Sequence, residues 1–235
     1  MSLSKLKLDN DVEEAVDTLG SGGALESNIY PMMITAAFMG KSKGGAVSVT
    51  LHTKTPEGLE FKQVLYVTSG KAKGRNPYYE KNGKKYPMPS YTVVDDICRL
   101  TTDTAFSDME TEEKTIKLWD YDASKELPQE VDMLVDLIGE SVYLAISKSV
   151  ENKNVKNAEG NYVPTAETRE VNDISKVFDA ESKLTTVEIK KDIEEPEFFD
   201  SWLDKNEGKT RDKTVKVDGV PGVPGQGKKK KKMFA

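Results

Sequence analysis

The chain has 235 residues, 37% hydrophobic and 31% charged, with 34 Lys and Arg against 40 Asp and Glu for a formal net charge of -6. That length fits one domain of moderate size plus appendages, and no stretch approaches the roughly 18–20 apolar residues of a membrane-spanning helix. One cysteine, Cys98, and one histidine, His52, exclude an internal disulfide and a Cys/His zinc centre, which needs about four ligands.

Residues 1–23 read as a polar leader with a brief helix from Asp11 to Leu19 ended by glycines. The leader lacks the apolar segment and cleavage site of a signal peptide, so a cytoplasmic setting is expected. The segment SNIYPMMITAAFMG reads as a strand and KSKGG as a turn. AVSVTLHTKT alternates Val47, Val49 and Leu51 against Ser48, Thr50 and His52, the pattern of a half-buried strand. After the turn PEG, LEFKQVLYVTSG gives a third strand, and the three form an antiparallel meander.

Residues 71–91, KAKGRNPYYEKNGKKYPMPSY, form a loop or hairpin with Asn82-Gly83 at its turn. SYTVVDDICRLTTD reads as a helix with Val93, Ile97 and Leu100 on one apolar face. Cys98 within it is expected as a buried small hydrophobe. TIKLWDYD reads as a strand. PQEVDMLVDLIG reads as a helix, with Pro128 near its start, Val131, Leu134, Val135 and Ile138 on one stripe and Gly139 as stop. SVYLAISKSV is a strand, ENKNVKNAEGNYVPTAE a polar excursion, and REVNDISKVF and LTTVEIKK two strand-like segments around the turn DAESK.

About seven short strands with inserted helices predict a mainly β fold, an OB-like barrel of the five-stranded Greek-key type with extra hairpins, over residues 24–193. A β-sandwich is the alternative architecture. Residues 194–208 predict an amphipathic helix carrying Phe198, Phe199, Trp202 and Leu203, more simply docked on the barrel than free for a partner. Residues 209–235 predict a disordered tail in which GVPGVPGQG leads to Lys228, Lys229, Lys230, Lys231, Lys232 and Phe234.

Charge is unevenly spread. Residues 69–91 hold six basic residues and one acid, Glu80, for +5, whereas 92–140 hold fourteen acids and four basic residues for -10. No Walker loop, dinucleotide fingerprint or GxSxG elbow occurs, and no catalytic residue, metal ligand or cofactor site is assigned. The acidic stretch 103–113 reads first as a solvated loop.

Binding single-stranded nucleic acid without sequence preference requires cations to follow the phosphates and aromatic faces on which bases stack. Lys71, Lys73, Arg75, Lys81, Lys84 and Lys85 supply the first, and Tyr78, Tyr79, Tyr86 and Tyr91 the second. A solvated hairpin with its tyrosines on the barrel rim is the plainer reading. Strand alternation adds Lys117, Trp119 and Tyr121 on one face, opposite Ile116 and Leu118, and Lys62 with Tyr66 opposite Phe61, Leu65 and Val67.

Taken in order, YTVVDDICRLTT, KLWDYDASKELPQEVDMLVDLIGESVYLAI, GNYVPTAETREVNDISKVFDAESKLTTVEI and FFDSWLDKNEGKTRDK resemble the phage-encoded single-stranded DNA-binding proteins of tailed bacteriophages. The resemblance covers residues 24–235 and rests on the number and order of these segments. It implies an OB-fold core that coats single strands in phage DNA replication, recombination and repair, in the cytoplasm of the infected bacterial host. It also implies a C-terminal tail through which replication or recombination proteins dock. One departure matters: proteins of this kind often end in an acidic tail with a terminal Phe, whereas here Phe234 follows five lysines.

The expected protein is therefore non-enzymatic, with single-stranded DNA as ligand, no membrane partner and its oligomeric state open. Two other classes stay in play. One is a non-enzymatic protein-interaction module or virion component whose basic loop binds acidic protein. The other is a nuclease-like enzyme using some of the many carboxylates.

Overall fold

The structure, a computed structural model, describes residues 23–120 and 123–217. The leader helix expected over 11–19, Tyr121 and the lysine tail lie outside the described residues.

Five strands build the body: β1 (Asn28–Lys41), β2 (Val47–Lys54), β3 (Glu60–Tyr66), β8 (Ser141–Lys156) and β9 (Tyr162–Asp179). All four contacts along the path β3-β2-β1-β8-β9 are antiparallel. β1 is long enough to serve two neighbours. Its first half, Asn28–Met33, pairs with β8, and its second half, Met33–Lys41, pairs with β2 on both sides of a bulge between Ile34 and Ala36. A bulge bends and twists a strand, so the sheet curls and brings β3 round towards β9. Those two edges form no backbone ladder among the described residues. The Gln63 side chain bridges them instead, accepting the Ile174 N–H at 3.0 Å. The large antiparallel sheet and mainly β character agree with the sequence reading. A closed barrel does not, because β3 and β9 stay too far apart for backbone pairing.

Between β3 and β8 the chain inserts two hairpins and a helix. The first hairpin, β4 (Tyr78–Lys81) and β5 (Lys84–Pro87), turns at Asn82 and Gly83 with φ of 52° and 73°, the paired left-handed angles that an Asn-Gly hairpin turn requires. Helix α1 (Pro89–Thr102) follows, with Pro at its first position and Asp103 at φ 55° as its end. Its buried stripe of Val93, Val94, Ile97 and Cys98 belongs to the same core cluster as Leu51, Leu65, Leu144, Ile146 and Val177 from the strands. Burying each such aliphatic side chain contributes about 1.5–3 kcal/mol.

The second hairpin, β6 (Glu112–Asp120) and β7 (Lys125–Met133), replaces the helix expected over 128–139. Val131, Leu134, Val135 and Ile138 fit a helical stripe by spacing. The chain instead alternates through Leu127, Gln129, Val131 and Met133 as half-buried or buried strand positions, and a single 3-10 turn at Val135–Leu137 sinks Leu134 and Leu137 into the core. Pro128 fits a strand here because β7 meets β1 only at Met133, leaving its outer edge unpaired where the missing N–H costs little.

The polar excursion over 151–167 is also strand: β8 and β9 pair out to Lys156 and Tyr162, and the Asn157 side chain accepts the Glu159 and Asn161 N–H groups in the tip turn. LTTVEIKK is a one-turn helix, α2 (Thr186–Ile189), rather than a strand, because Thr185 and Glu188 form a reciprocal capping box.

Helix α3 (Glu197–Asn206) docks on the outer face of β8 and β9 as expected, with Phe199 and Trp202 against Phe178, Ala145 and Ile29. The chain after it does not leave the body at residue 209. Thr210–Asp212 form β10, parallel to Lys148–Val150 of β8, and Val215 N donates to Asn152 Oδ1. Too polar to fold alone, this segment is held as an added edge strand.

Candidate nucleic-acid interface

The outer face of the meander is built by alternation. On β3, Phe61 and Leu65 are buried while Lys62, Val64 and Tyr66 point outward in a row. Successive outward positions stand about 6.5–7 Å apart. Tyr66 pairs with Ser48 and Lys62 with His52. Val64 and Tyr66 are 49% and 45% exposed, an apolar-aromatic floor open to solvent.

A cluster of cations stands at the end of this floor. Past Tyr66 the chain runs beside the β1–β2 turn: Val67 N donates to Val47 O and Lys71 N to Gly44 O at 2.8 Å. Gly45, at φ 78°, packs so closely that a Cβ there would lie 3.2 Å from Lys71 Cβ and 3.5 Å from Arg75 Nε. The result is a depression of about 690 Å³ lined by Lys41, Ser42, Lys43, Gly44, Gly45, Lys71, Ala72 and Arg75, with four cations and no acid. Sequence reading singled out Lys71 and Arg75 and missed Lys41 and Lys43. Two lysines in the Gly-rich turn KSKGG were the available signal.

Next to it, a cleft of about 670 Å³ lies between β1–β2 and the β6–β7 hairpin, sharing Lys41 and Arg75 and floored by Phe38, Gly40 and Val47. Leu118, Gln129 and Val131 of the hairpin line it together with Glu130 and Asp132. By alternation along β7 the Glu130 and Asp132 side chains fall on the face opposite Gln129 and Val131, so their carboxylates flank the cleft, and the hairpin bounds the basic surface on that side.

The β4–β5 hairpin has two distinct faces. Tyr79 pairs with Tyr86 across the strands, their rings stacked at 5.7 Å and 26°, and Lys81 and Lys84 share that face. On the other face Lys85 Nζ lies 4.5 Å from the Tyr78 ring centroid, beside Glu80. Beneath Tyr79 and Tyr86 a cleft of about 400 Å³ runs against α1 and β9, with Thr92, Asp96, Ser175 and Lys176 in its lining. Asp96 is buried and held by Thr186 Oγ1 and by Lys176 Nζ at 3.1 Å. Lys73 closes the 3-10 turn that leads into this hairpin, exposed ahead of the left-handed Gly74.

Three expected residues lie elsewhere. Tyr91 sits on α1, half-buried and edge-on to Phe106 at 5.6 Å, at the margin of the core. Lys117 and Trp119 do share an exposed face, as alternation predicts, with Trp119 53% exposed. That face is turned away from the cleft that Leu118 lines, and Trp119 pairs there with Glu126 and Thr115 with Glu130. Tyr121, their expected companion, is outside the described residues.

His52 packs edge-on against Phe38 at 5.6 Å. Partial burial, then the Lys62 charge, lower its pKa and outweigh the opposing pull of Glu60. It is therefore a neutral floor residue at pH 7. Cys98 is buried in α1, where burial above all pushes its thiol up to about 12. It is unsuited to nucleophilic chemistry. Among the described residues no cluster of three or more His, Cys, Asp or Glu could hold a metal ion.

Comparisons of the chain with protein-family models, with curated proteins and with solved structures return no match.

Proposed function

We propose that this protein binds single-stranded DNA without sequence preference, on an OB-like domain, as a non-enzymatic coat for single strands in phage DNA replication, recombination and repair. The observation that carries the reading is the convergence of Lys41, Lys43, Lys71 and Arg75 beside the exposed Tyr66 and Val64. Cations at the end of an aromatic-apolar sheet face meet both needs of such a ligand, phosphate neutralisation and base stacking.

The fold supports the same reading. OB domains are partly open five-stranded Greek-key barrels that bind oligonucleotides on the face of their second and third strands, flanked by the first turn and the last hairpin tip. In the path β3-β2-β1-β8-β9 those positions fall on β2–β3, on residues 42–46 and on residues 157–161. The β4–β5 hairpin, with Tyr79 and Tyr86 stacked beside Lys81 and Lys84, extends this surface as a clamp. The tail carrying Lys228–Lys232 and Phe234 is the segment through which partner proteins are recruited.

Fluorescence anisotropy with labelled oligo(dT), oligo(rU) and duplex DNA tests the proposal. Preference for the single strand, with affinity that falls as salt rises, is expected. Absence of binding to any strand at low salt overturns it and leaves an acidic protein as the partner of the basic loops.

A further inference from the structure

We propose that the groove between α2 and α3 is the docking site for this chain's own segment Lys228–Phe234. The docking needs no nucleic acid and stands whether or not the domain binds a strand.

The groove has about 380 Å³ of space, at the lower end of the roughly 300–1,000 Å³ of ligand pockets. Its apolar lining is Val187, Ile193 and Phe198, with Val187 49% and Phe198 45% exposed. It is a built feature: Glu188, buried, accepts the Phe198 N–H at 2.8 Å and so fixes the start of α3 against α2. Large apolar side chains left open beside a fixed wall mark a place where another chain segment packs.

The rim selects the occupant by charge. From residue 192 to 204 the chain has six acids, Asp192, Glu194, Glu195, Glu197, Asp200 and Asp204, and no Lys or Arg. All six are exposed, and none is in an ion pair with another described residue. Of these acids Glu197 lines the groove itself and the others flank it in the chain, while Lys176 and Lys191 also line it, so a basic segment approaches from the α3 side. The tail has the complementary pattern, five consecutive lysines followed directly by Met233 and Phe234. Lysines on the acidic rim place Phe234 against Val187, Ile193 and Phe198.

Chain length permits it. Val217 is the last described residue before the tail, and Phe234 follows 17 residue steps later. Fully extended they span about 55–60 Å. The path from Phe198 along α3 and through β10 to Val217 separates the groove from that exit by at most about 50 Å.

The test is carbodiimide cross-linking of the full chain, which joins lysine amines to carboxylates in contact, read by peptide mass spectrometry. Cross-links from Lys228–Lys232 to Glu194, Glu195, Glu197 or Asp200 are expected. They are expected to be lost when ionic strength rises from about 0.1 M to about 1 M, shortening the Debye length from about 10 Å to about 3 Å. They are also expected to be lost in Glu194→Lys/Glu195→Lys, an exposed pair whose exchange leaves the core intact. Hydrogen exchange at residues 187–201 should speed up in Phe234→Ser. Tail lysines linked evenly over all acidic surfaces, or unchanged exchange in Phe234→Ser, overturns the proposal. Cross-links that join isotopically light and heavy chains in a mixture overturn its within-chain form.

Discussion

Gln63 and Ile174 join the two sheet edges that have no ladder between them: the Gln63 side-chain oxygen on β3 accepts the Ile174 N–H on β9 at 3.0 Å. Ile174 is 6% exposed, so its N–H has no ready access to water. Gln63→Leu removes the acceptor and keeps the volume. Leaving a buried donor unpaired costs about 1–3 kcal/mol. Urea unfolding should show that loss with an unchanged slope, and a loss near zero would mean the seam holds without this bridge.

Glu188 links two helices. Burial on its own raises its pKa, but hydrogen bonds from Thr185 N, Phe198 N and the Thr185 hydroxyl, with Lys176 nearby, outweigh it and hold the carboxyl below its ordinary value. A carboxylate depressed in the folded state stabilises fully above its unfolded pKa and loses that contribution as pH falls through the folded one. Glu188→Gln should therefore cost stability at pH 7 and less of it below pH about 4, as measured by urea midpoints across a pH series. An equal cost at both ends would mean the charge plays no part.

His52 carries the same sign of proton linkage in a higher window. Its pKa is lowered on folding, so the unfolded chain takes up the proton first. Stability is complete above the unfolded value of about 6.5 and declines as pH falls from there to the folded pKa. As the sole histidine it gives one NMR titration. A midpoint below about 6.5 is expected; a midpoint above it would contradict the half-buried, Lys62-facing placement.

Cys98 should be silent to thiol reagents in the native protein and react fully in urea, because burial removes access and pushes its pKa up to about 12. Labelling with an Ellman-type reagent at pH 8 measures this, and native-state reaction as fast as that of a free thiol would contradict the packing of α1.

Local pattern made much of this fold legible. The alternation of Val47, Val49 and Leu51, the Asn82-Gly83 turn, the apolar stripe of α1 and the Phe199–Trp202 pair of α3 each hold their signal within a few residues. The misread elements depend on distant partners. β7 resembles a helix until β6 pairs with it, and β10 exists because β8 offers an edge. α2 was a different failure, since its Thr185-x-x-Glu188 capping box was present in a run of β-branched residues. The site divides the same way. The tyrosines and lysines of the β4–β5 hairpin are adjacent in sequence, whereas Lys41 and Lys43 meet Lys71 and Arg75 only because Gly45 packs against both. Trp119 is exposed, as alternation predicts, but the acid opposite it, Glu126, is brought there by the pairing of β6 with β7, ahead of the segment whose spacing suggests a helix.

Hairpin stacking supplies a further test. Each base stacked on an aromatic ring contributes about 1–3 kcal/mol, so Tyr79→Ala/Tyr86→Ala should weaken oligo(dT) binding at least about fivefold while leaving the core, to which neither ring belongs, unchanged. Unaltered affinity would remove the hairpin from the interface.

The most direct measurement is the salt dependence of oligo(dT) affinity for the native protein and for Lys41→Ala/Lys43→Ala. Each phosphate contact on a single strand adds about 0.7 to the magnitude of the slope of log K against log salt. The account predicts that the double variant binds more weakly and that its slope falls by about 1.4. A variant with native affinity and native slope would contradict a nucleic-acid surface centred on the β1–β2 turn.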